Sequence, residues 1–173
     1  MSAAAGISIR RATTDDAAGV ASVLNGAILD GSPTLLDTPF SVEDERAYIE
    51  SLPARGFLHV AELPAAGIVG FQTVIPWCDF VTTAHDHVAS MGTYVDAGHR
   101  RRGVGEALAR ASFAAALSLG YEKVFTDLRA DNLASLAYHA SLGFAVVGAA
   151  RRQARTAAGD VDVLFIELFL KEG

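Results

Sequence analysis

The chain is short of cysteine, has a single tryptophan and carries no long apolar run, and each shortage removes a class of protein. One thiol, Cys78, excludes a disulfide framework and a zinc ribbon; it suits a reducing cytoplasm and reads as a buried side chain. No stretch of roughly 18 apolar residues occurs, and Met1 to Gly6 lacks the basic start and apolar centre of an export signal. A soluble cytoplasmic protein with no membrane partner is therefore expected. Repeats, linkers and low-complexity segments are also missing. With 173 residues, 51% hydrophobic and 20% charged, the chain is long enough to bury a sizeable core as one domain over residues 1-173. Its net charge of -6 argues against a nucleic-acid partner.

Against that acidic background one basic cluster stands out, in Val95-Asp96-Ala97-Gly98-His99-Arg100-Arg101-Arg102-Gly103-Val104-Gly105-Glu106. It reads as a strand end, a glycine-spaced turn and a helix start. A helix start leaves about four backbone N–H groups unpaired and carries roughly half a positive charge, which suits an anion. Gly103 and Gly105 remove Cβ atoms where a phosphate would approach, and Arg100, Arg101 and Arg102 add forked donors. Leu108 stands where a dinucleotide fingerprint needs a third glycine, and no Gly-Lys-Ser/Thr occurs. The ligand expected here is a small anion, and the competing reading is a solvated basic turn.

Periodicity predicts a strand over Ile7 to Arg10, a helix capped at Thr14 to Asp16 and running to Leu29, and a loop to Phe40. A second helix starts with the capping pattern Ser41-Val42-Glu43-Asp44 and ends near Leu52. Strands follow over Gly56 to Leu63 and Ile68 to Ile75, then a loop to Asp86. A strand over Val88 to Val95, a helix over Gly103 to Leu119 and a strand over Lys123 to Leu128 form a crossover unit whose loop lies at a strand's carboxyl end. A helix over Leu133 to Leu142 and a hairpin turning at Ala157 to Asp160 complete a mixed α/β sheet protein.

Arg100-x-x-Gly103-x-Gly105 after a strand resembles the pyrophosphate loop of the GNAT superfamily of N-acetyltransferases. Asn132-Leu133-Ala134-Ser135 through Leu142-Gly143-Phe144 resembles the second signature of that superfamily, at a normal spacing. Ile9-Arg10, Asp37-Thr38-Pro39 and Glu43-Glu45-Arg46 extend the likeness to the phosphinothricin acetyltransferase-like branch and to nearly the whole chain. The resemblance implies a mostly antiparallel sheet of six or seven strands, splayed between the fourth and fifth and flanked by about four helices. It implies acetyl-CoA as the cofactor, held by the backbone of Thr93, Tyr94 and Val95, by residues Arg100 to Glu106, including Val104, and by Asn132 and Ser135. It also implies a small-molecule amine acceptor and a homodimer, which the apolar strand Val163 to Leu170 would suit unless that strand is simply interior.

Direct acyl transfer has three needs. A fixed donor must meet the developing oxyanion, and a backbone N–H near Thr93 or Tyr94 is the candidate. An amine of lysine-like pKa, near 10.4, is neutral only about one part in a thousand at pH 7.4, a cost of about 4 kcal/mol, so a base matters. The relatives' strand glutamate is replaced here by Ser90, which is no base alone, and His87 is the candidate, directly or through water. The leaving thiolate needs a partner; the family tyrosine position holds His139, not the adjacent Tyr138, and His139 either assists the thiolate or packs the helix. His85, His87 and Asp79 also invite a metal-site reading, but they lack a closed ligand set, and no metal is expected. Ser90 with His87 and Asp86 invites a hydrolase reading, but no Gly-x-Ser-x-Gly elbow accompanies it. Asp30, Thr34, Asp37, Trp77 and Phe80 come from the two loops that would wall the acceptor, with Trp77 and Phe80 as an apolar rim or as core. The alternative function is a catalytically weak acyl-CoA-binding sensor of the same fold.

Overall fold

The expected alternation of strands and helices takes the form of one seven-stranded sheet in order β1-β2-β3-β4-β5-β7-β6. The computed structural model describes residues 6–78 and 82–171. Along the chain lie β1 (Ser8–Arg11), α1 (Ala17–Leu29), α2 (Val42–Glu50), β2 (Phe57–Leu63), β3 (Gly67–Pro76) and β4 (Val88–Val95). Then come α3 (Val104–Ser118), β5 (Lys123–Arg129), α4 (Leu133–Ser141), β6 (Ala145–Thr156) and β7 (Gly159–Phe169). Asp79 and Phe80 lie outside the described residues.

Alternating side chains distribute the core over both faces of the sheet. Val20, Val23 and Leu24 of α1 pack on Leu58, Val60 and Phe71 on one face. On the other, Val104 and Leu108 of α3 pack on Ala61 and Val69, and Ala116 joins Val74, Met91, Val124, Leu128 and Ile166. Strands β1 to β4 pair antiparallel in sequence, as do β5 with β7 and β7 with β6. The one parallel junction, β4 with β5, is very short, with register pairs only at Val88↔Lys123 and Ala89↔Val124. Beyond Ala89 the strands diverge, and the side chain of Thr126 donates to Met91 O at 2.9 Å where the next rungs would have formed. Strand β5 instead stays paired with β7 along its entire length, from Lys123↔Phe169 to Arg129↔Val163.

One expectation needs correction, and one open alternative is decided. Cys78 is half-buried beside a loop rather than a core thiol. The apolar strand near the C-terminus, β7, lies between β5 and β6, so its composition is explained within one chain. The edge strand at this end of the sheet is β6, which exposes Val146 and Val147.

Helix starts follow the sequence closely. Ser41 and Asp44 cap α2 reciprocally, with Asp44 N–H donating to Ser41 Oγ at 3.1 Å and Ser41 N–H to Asp44 Oδ2 at 2.8 Å. At the first helix the cap sits one residue earlier than expected. Thr13 precedes a 3₁₀ turn (Thr14–Asp16) leading into α1, and its N–H donates to Asp16 Oδ2 at 2.8 Å. The Asp16 carboxylate also accepts two bonds from Arg10, at 2.8 and 2.7 Å, tying β1 to this turn. Hydrogen bonding from Arg10, opposed by burial, holds its pKa down at about 2. The native state thus favours the charged form, and the stability this adds is present above the ordinary aspartate pKa and lost as pH falls towards the lowered one. Asp16→Asn is expected to cost about 1–2 kcal/mol at neutral pH, allowing for solvent screening at the half-open Arg10. Urea unfolding should show the difference from wild type shrinking between pH 5 and pH 2 as Asp16 is protonated.

Candidate active site

Divergence of β4 from β5 leaves the β4 backbone unpaired on one side. In a strand, the N–H and C=O of one residue point the same way and those of the next point oppositely. Val88 O accepts from Trp77 N and Asp96 N donates to Val69 O, so even-numbered residues of β4 bond towards β3. Odd-numbered ones face β5: Met91 O is taken by Thr126, and Val95 O by Arg100 Nε at 3.0 Å. Thr93, between them, is left with both backbone groups directed into the wedge. Of the three backbones suggested by the sequence, Thr93 and Val95 therefore offer free N–H groups, whereas the amide of Tyr94 is committed to β3. The Thr93 hydroxyl accepts from Nε2 of its cross-strand neighbour Gln72 at 2.8 Å.

Strand β4 ends in Asp96, whose carboxylate accepts from Gly98 N–H at 3.1 Å and contacts His99 Nδ1 at 2.7 Å, starting the turn that leads to α3. That turn passes through left-handed backbone at Arg101 (φ 61°) and Gly103 (φ 83°). A left-handed residue with a side chain costs roughly 1–2 kcal/mol, so the turn is imposed by its surroundings. It curls the amides at the N-terminus of α3 around one concavity, the geometry an anion needs. Arg100 does not stand free there. It reaches back to Val95 O, to Ser32 Oγ at 3.2 Å and towards Asp30 Oδ2 at 3.6 Å, binding the α1–α2 loop to the turn.

Gly105 has a reason the sequence did not show. A Cβ placed on it would come within 2.9 Å of Tyr138 Cε2, and the Tyr138 hydroxyl donates to Gly105 O at 2.9 Å. Here the missing side chain makes room for an aromatic ring. Val104 is buried in the core, leaving only its backbone for a ligand.

A cleft of about 720 Å³ runs from this turn along the open side of β4. Thr93, Tyr94, Val95, Arg100, Arg101, Gly103, Gly105, Glu106, Asn132, Ser135 and His139 all line it. Arg102 is exposed and is not among its lining residues. A second cavity of about 130 Å³ fills the wedge itself and shares Thr93, Tyr94, Asn132, Ser135 and His139 with the cleft, adding Met91, Gly92, Asp127 and Arg129. Asn132 is already engaged: its amide oxygen accepts from Ser135 N–H at 2.9 Å as the N-cap of α4, and its NH₂ donates to Pro33 O at 2.6 Å.

His139 is buried, edge-on to both Tyr138 and Phe144. Its Nδ1 lies 2.8 Å from Ser135 O; a carbonyl can only accept, so Nδ1 carries the proton. The neutral ring therefore presents Nε2 as a bare acceptor. Burial pulls its pKa below the ordinary histidine value, partly offset by the bond to Ser135. Tyr138 is pushed up to about 12 by burial and stays a phenol.

Other sequence candidates lie elsewhere. His87 is exposed just before β4, six residues from Thr93, about 20 Å along an extended strand, so the structure does not bring it into the cleft. Ser90 is half-buried at the same lower end, and its side chain and that of Thr93 emerge on opposite faces. Among the described residues, no group of three His, Cys, Asp or Glu side chains could hold a metal ion. Trp77 packs edge-on against His85 and Phe125, near the start of β4 rather than at the wedge. Of the acceptor-wall candidates, Thr34 lines both cavities, Asp30 holds Arg100, and Asp37 accepts from its neighbour Thr38 in an exposed loop. Asp127 and Arg129, which the sequence reading passed over, line the wedge. The signal was there: Asp127 is a lone acid within Val124-Phe125-Thr126-Asp127-Leu128.

Residues 28–144 match the model of the Acetyltransferase (GNAT) family. The chain belongs to that family. It is an acyltransferase, and acetyl-CoA is its acyl donor. It is 28% identical over 167 residues to the L-amino acid N-acyltransferase MnaT of Escherichia coli, covering 96% of this chain and 95% of the relative. It is 24% identical over 164 residues to an L-methionine sulfoximine/L-methionine sulfone acetyltransferase of Pseudomonas paraeruginosa, covering 94% of each. A phosphinothricin acetyltransferase from Sinorhizobium meliloti, solved with acetyl-CoA, superposes with a TM-score of 0.86 at 20% identity over 96% of this chain and 90% of that one. The seven-stranded splayed sheet is thus the fold of the family.

The contact between Gly105 and Tyr138 can be tested. Gly105→Ala is expected to destabilise the protein by about 1–3 kcal/mol through overpacking. In a Tyr138→Ala background the same change should cost less than half as much, which a double-mutant cycle read by urea unfolding would show.

Proposed function

We propose that this protein acetylates the primary amine of a small, amino-acid-like acceptor by direct attack on the thioester of acetyl-CoA. One observation carries this: a large cleft and a small wedge share a wall to which Thr93 and His139 both contribute, with His139 Nδ1 occupied by Ser135 O. The cleft suits the long donor, with the turn at Arg101 to Glu106 receiving its diphosphate. The wedge, of about 130 Å³, has room for a compact acceptor. Relatives named for L-amino acids and methionine sulfone suggest the acceptor class.

In this reading Thr93 N–H stands as the fixed donor for the charge that develops on the thioester oxygen. Because neutral His139 has no N–H towards the cleft, it cannot begin as the acid that an imidazolium would be. It first takes a proton at Nε2 from the attacking nitrogen, then returns it to the departing sulfur. The chain is read as one domain, supported by its single sheet. We infer a homodimer through the exposed edge of β6, where Val146 and Val147 stand open, with light scattering as the check. No helix among the described residues is long and apolar enough to cross a membrane. A lone thiol fits a reducing compartment, and the net charge of -6 speaks against nucleic acid.

Thiol release from acetyl-CoA, measured with L-methionine sulfone, L-methionine sulfoximine, other L-amino acids and simple primary amines, tests the assignment. Binding, seen as thermal stabilisation by acetyl-CoA, without acceptor-dependent release would reduce the protein to an acyl-CoA-binding module. His139→Ala is expected to lower kcat by about 100-fold with acetyl-CoA stabilisation retained. The neutral form of His139 is the active one and its pKa is lowered, so the acid limb of kcat/KM should lie below pH 6.5 and vanish in the variant. Asp127, Arg129, Tyr94 and Tyr138 are the other charged or titratable side chains that share its two cavities with Arg100, Arg101 and Glu106.

A further inference from the structure

Ser90 removes the carboxylate that the resemblance leads one to expect on β4, yet the wedge is not without one. Asp127 lines it, on the strand facing β4 across the divergence. The register fixes its height. Val88↔Lys123 and Ala89↔Val124 are the last paired rungs, and the Thr126 hydroxyl bonded to Met91 O continues the same count. Asp127 therefore stands level with Gly92, two residues nearer the open amide of Thr93 than Ser90 is.

Its face is also fixed. Thr126 and Leu128 are buried towards α3 and α4, so Asp127 projects to the opposite face, the one that Tyr94 shares with Phe71. The Tyr94 phenol is raised first by burial and then by the charges of Asp127 and Glu45, which puts both carboxylates within electrostatic reach of that ring. The Asp127 carboxyl is itself raised by desolvation although its side chain opens to solvent, which makes it a stronger base than a free aspartate. Arg129 does not neutralise it. That guanidinium is bound to Asp131 at 2.6 and 2.9 Å and donates to Thr34 O at 3.3 Å.

Resting on the reading of function above, we propose that Asp127 is the amine-side base of this enzyme: its carboxylate stands on β5, not β4, and acts across the wedge from the thioester wall. The acceptor enters as an ammonium, and the Asp127 carboxylate takes one N–H proton, directly or through one water, freeing the nitrogen lone pair. That pair forms the C–N bond to the thioester carbonyl carbon while the C=O pair moves to oxygen beside Thr93 N–H. His139 Nε2 takes the second proton from nitrogen. When the oxygen pair returns, the C–S bond breaks, its electrons leave with sulfur, and His139 delivers its proton there. Asp127 gives its own proton to water. A charge balance follows: one ammonium and one thioester yield one amide, one thiol and one proton.

The test uses the full chain with acetyl-CoA and the acceptor of the panel above that shows the highest kcat/KM. Asp127→Asn should lower kcat by about 100-fold or more, while thermal stabilisation by acetyl-CoA stays within error of wild type. Asp127→Glu, which keeps the carboxylate, should recover at least about tenfold over Asp127→Asn. A kcat for Asp127→Asn within about threefold of wild type would overturn the assignment, as would a loss confined to acceptor KM, which would make Asp127 a binding group only. Absence of acceptor-dependent thiol release in the wild-type protein would fail the proposed function and this assignment together. Retained release in Asp127→Asn would fail this assignment alone.

Discussion

The short parallel pairing between β4 and β5 is the constraint on which the site depends. Two rungs hold the strands together, and a side-chain hydroxyl then replaces the third. Each strand is held on its outer side, β5 by β7 along its length and β4 by β3, while the gap stays open between them. The unpaired backbone this leaves would be costly if it were buried dry. Open to a cleft, it becomes a row of donors and acceptors that an extended ligand can satisfy as an added strand would.

The elements around the gap are tied to one another by polar groups that reach across it. The α1–α2 loop receives Arg100 at Ser32, Asn132 at Pro33, and Tyr94 and Arg129 at Thr34. Two segments, 94–100 and 129–132, remote in sequence from that loop and from each other, thus converge on three consecutive residues. The result is a wall of defined shape on one side of the reacting space, with α4 and His139 on the other. Engagement of Arg100 and Asn132 in these ties also changes their meaning: both line the cleft, yet each spends much of its hydrogen-bonding capacity in holding it open. Gly105 is a similar case, a signature residue whose missing side chain makes room for Tyr138.

Electrostatics sort the titratable groups by environment. Burial keeps the Tyr138 phenol protonated and His139 neutral, while the bond from Nδ1 to Ser135 O decides which nitrogen faces the ligand. Desolvation raises Asp127 in the same small volume. In a chain of net charge -6, the basic turn places Arg100 and Arg101 on the wall of the cleft.

Local sequence determined a great deal: the strand and helix spans, the capping box at Ser41 and Asp44, and the glycine-spaced turn before α3 follow from periodicity and short-range hydrogen bonding, which act within a few residues. Distance along the chain defeated the rest. The resemblance points to Ser90, and the sequence to His87 just before β4, but an extended strand puts both towards its start, away from Thr93. Asp127 is more than thirty residues from Thr93 and joins it only because the register of two parallel strands aligns them. The identity of the lining residues, the tautomer of His139 and the use of Gly105 all depend on contacts between elements remote in sequence, and only the tertiary structure supplies those.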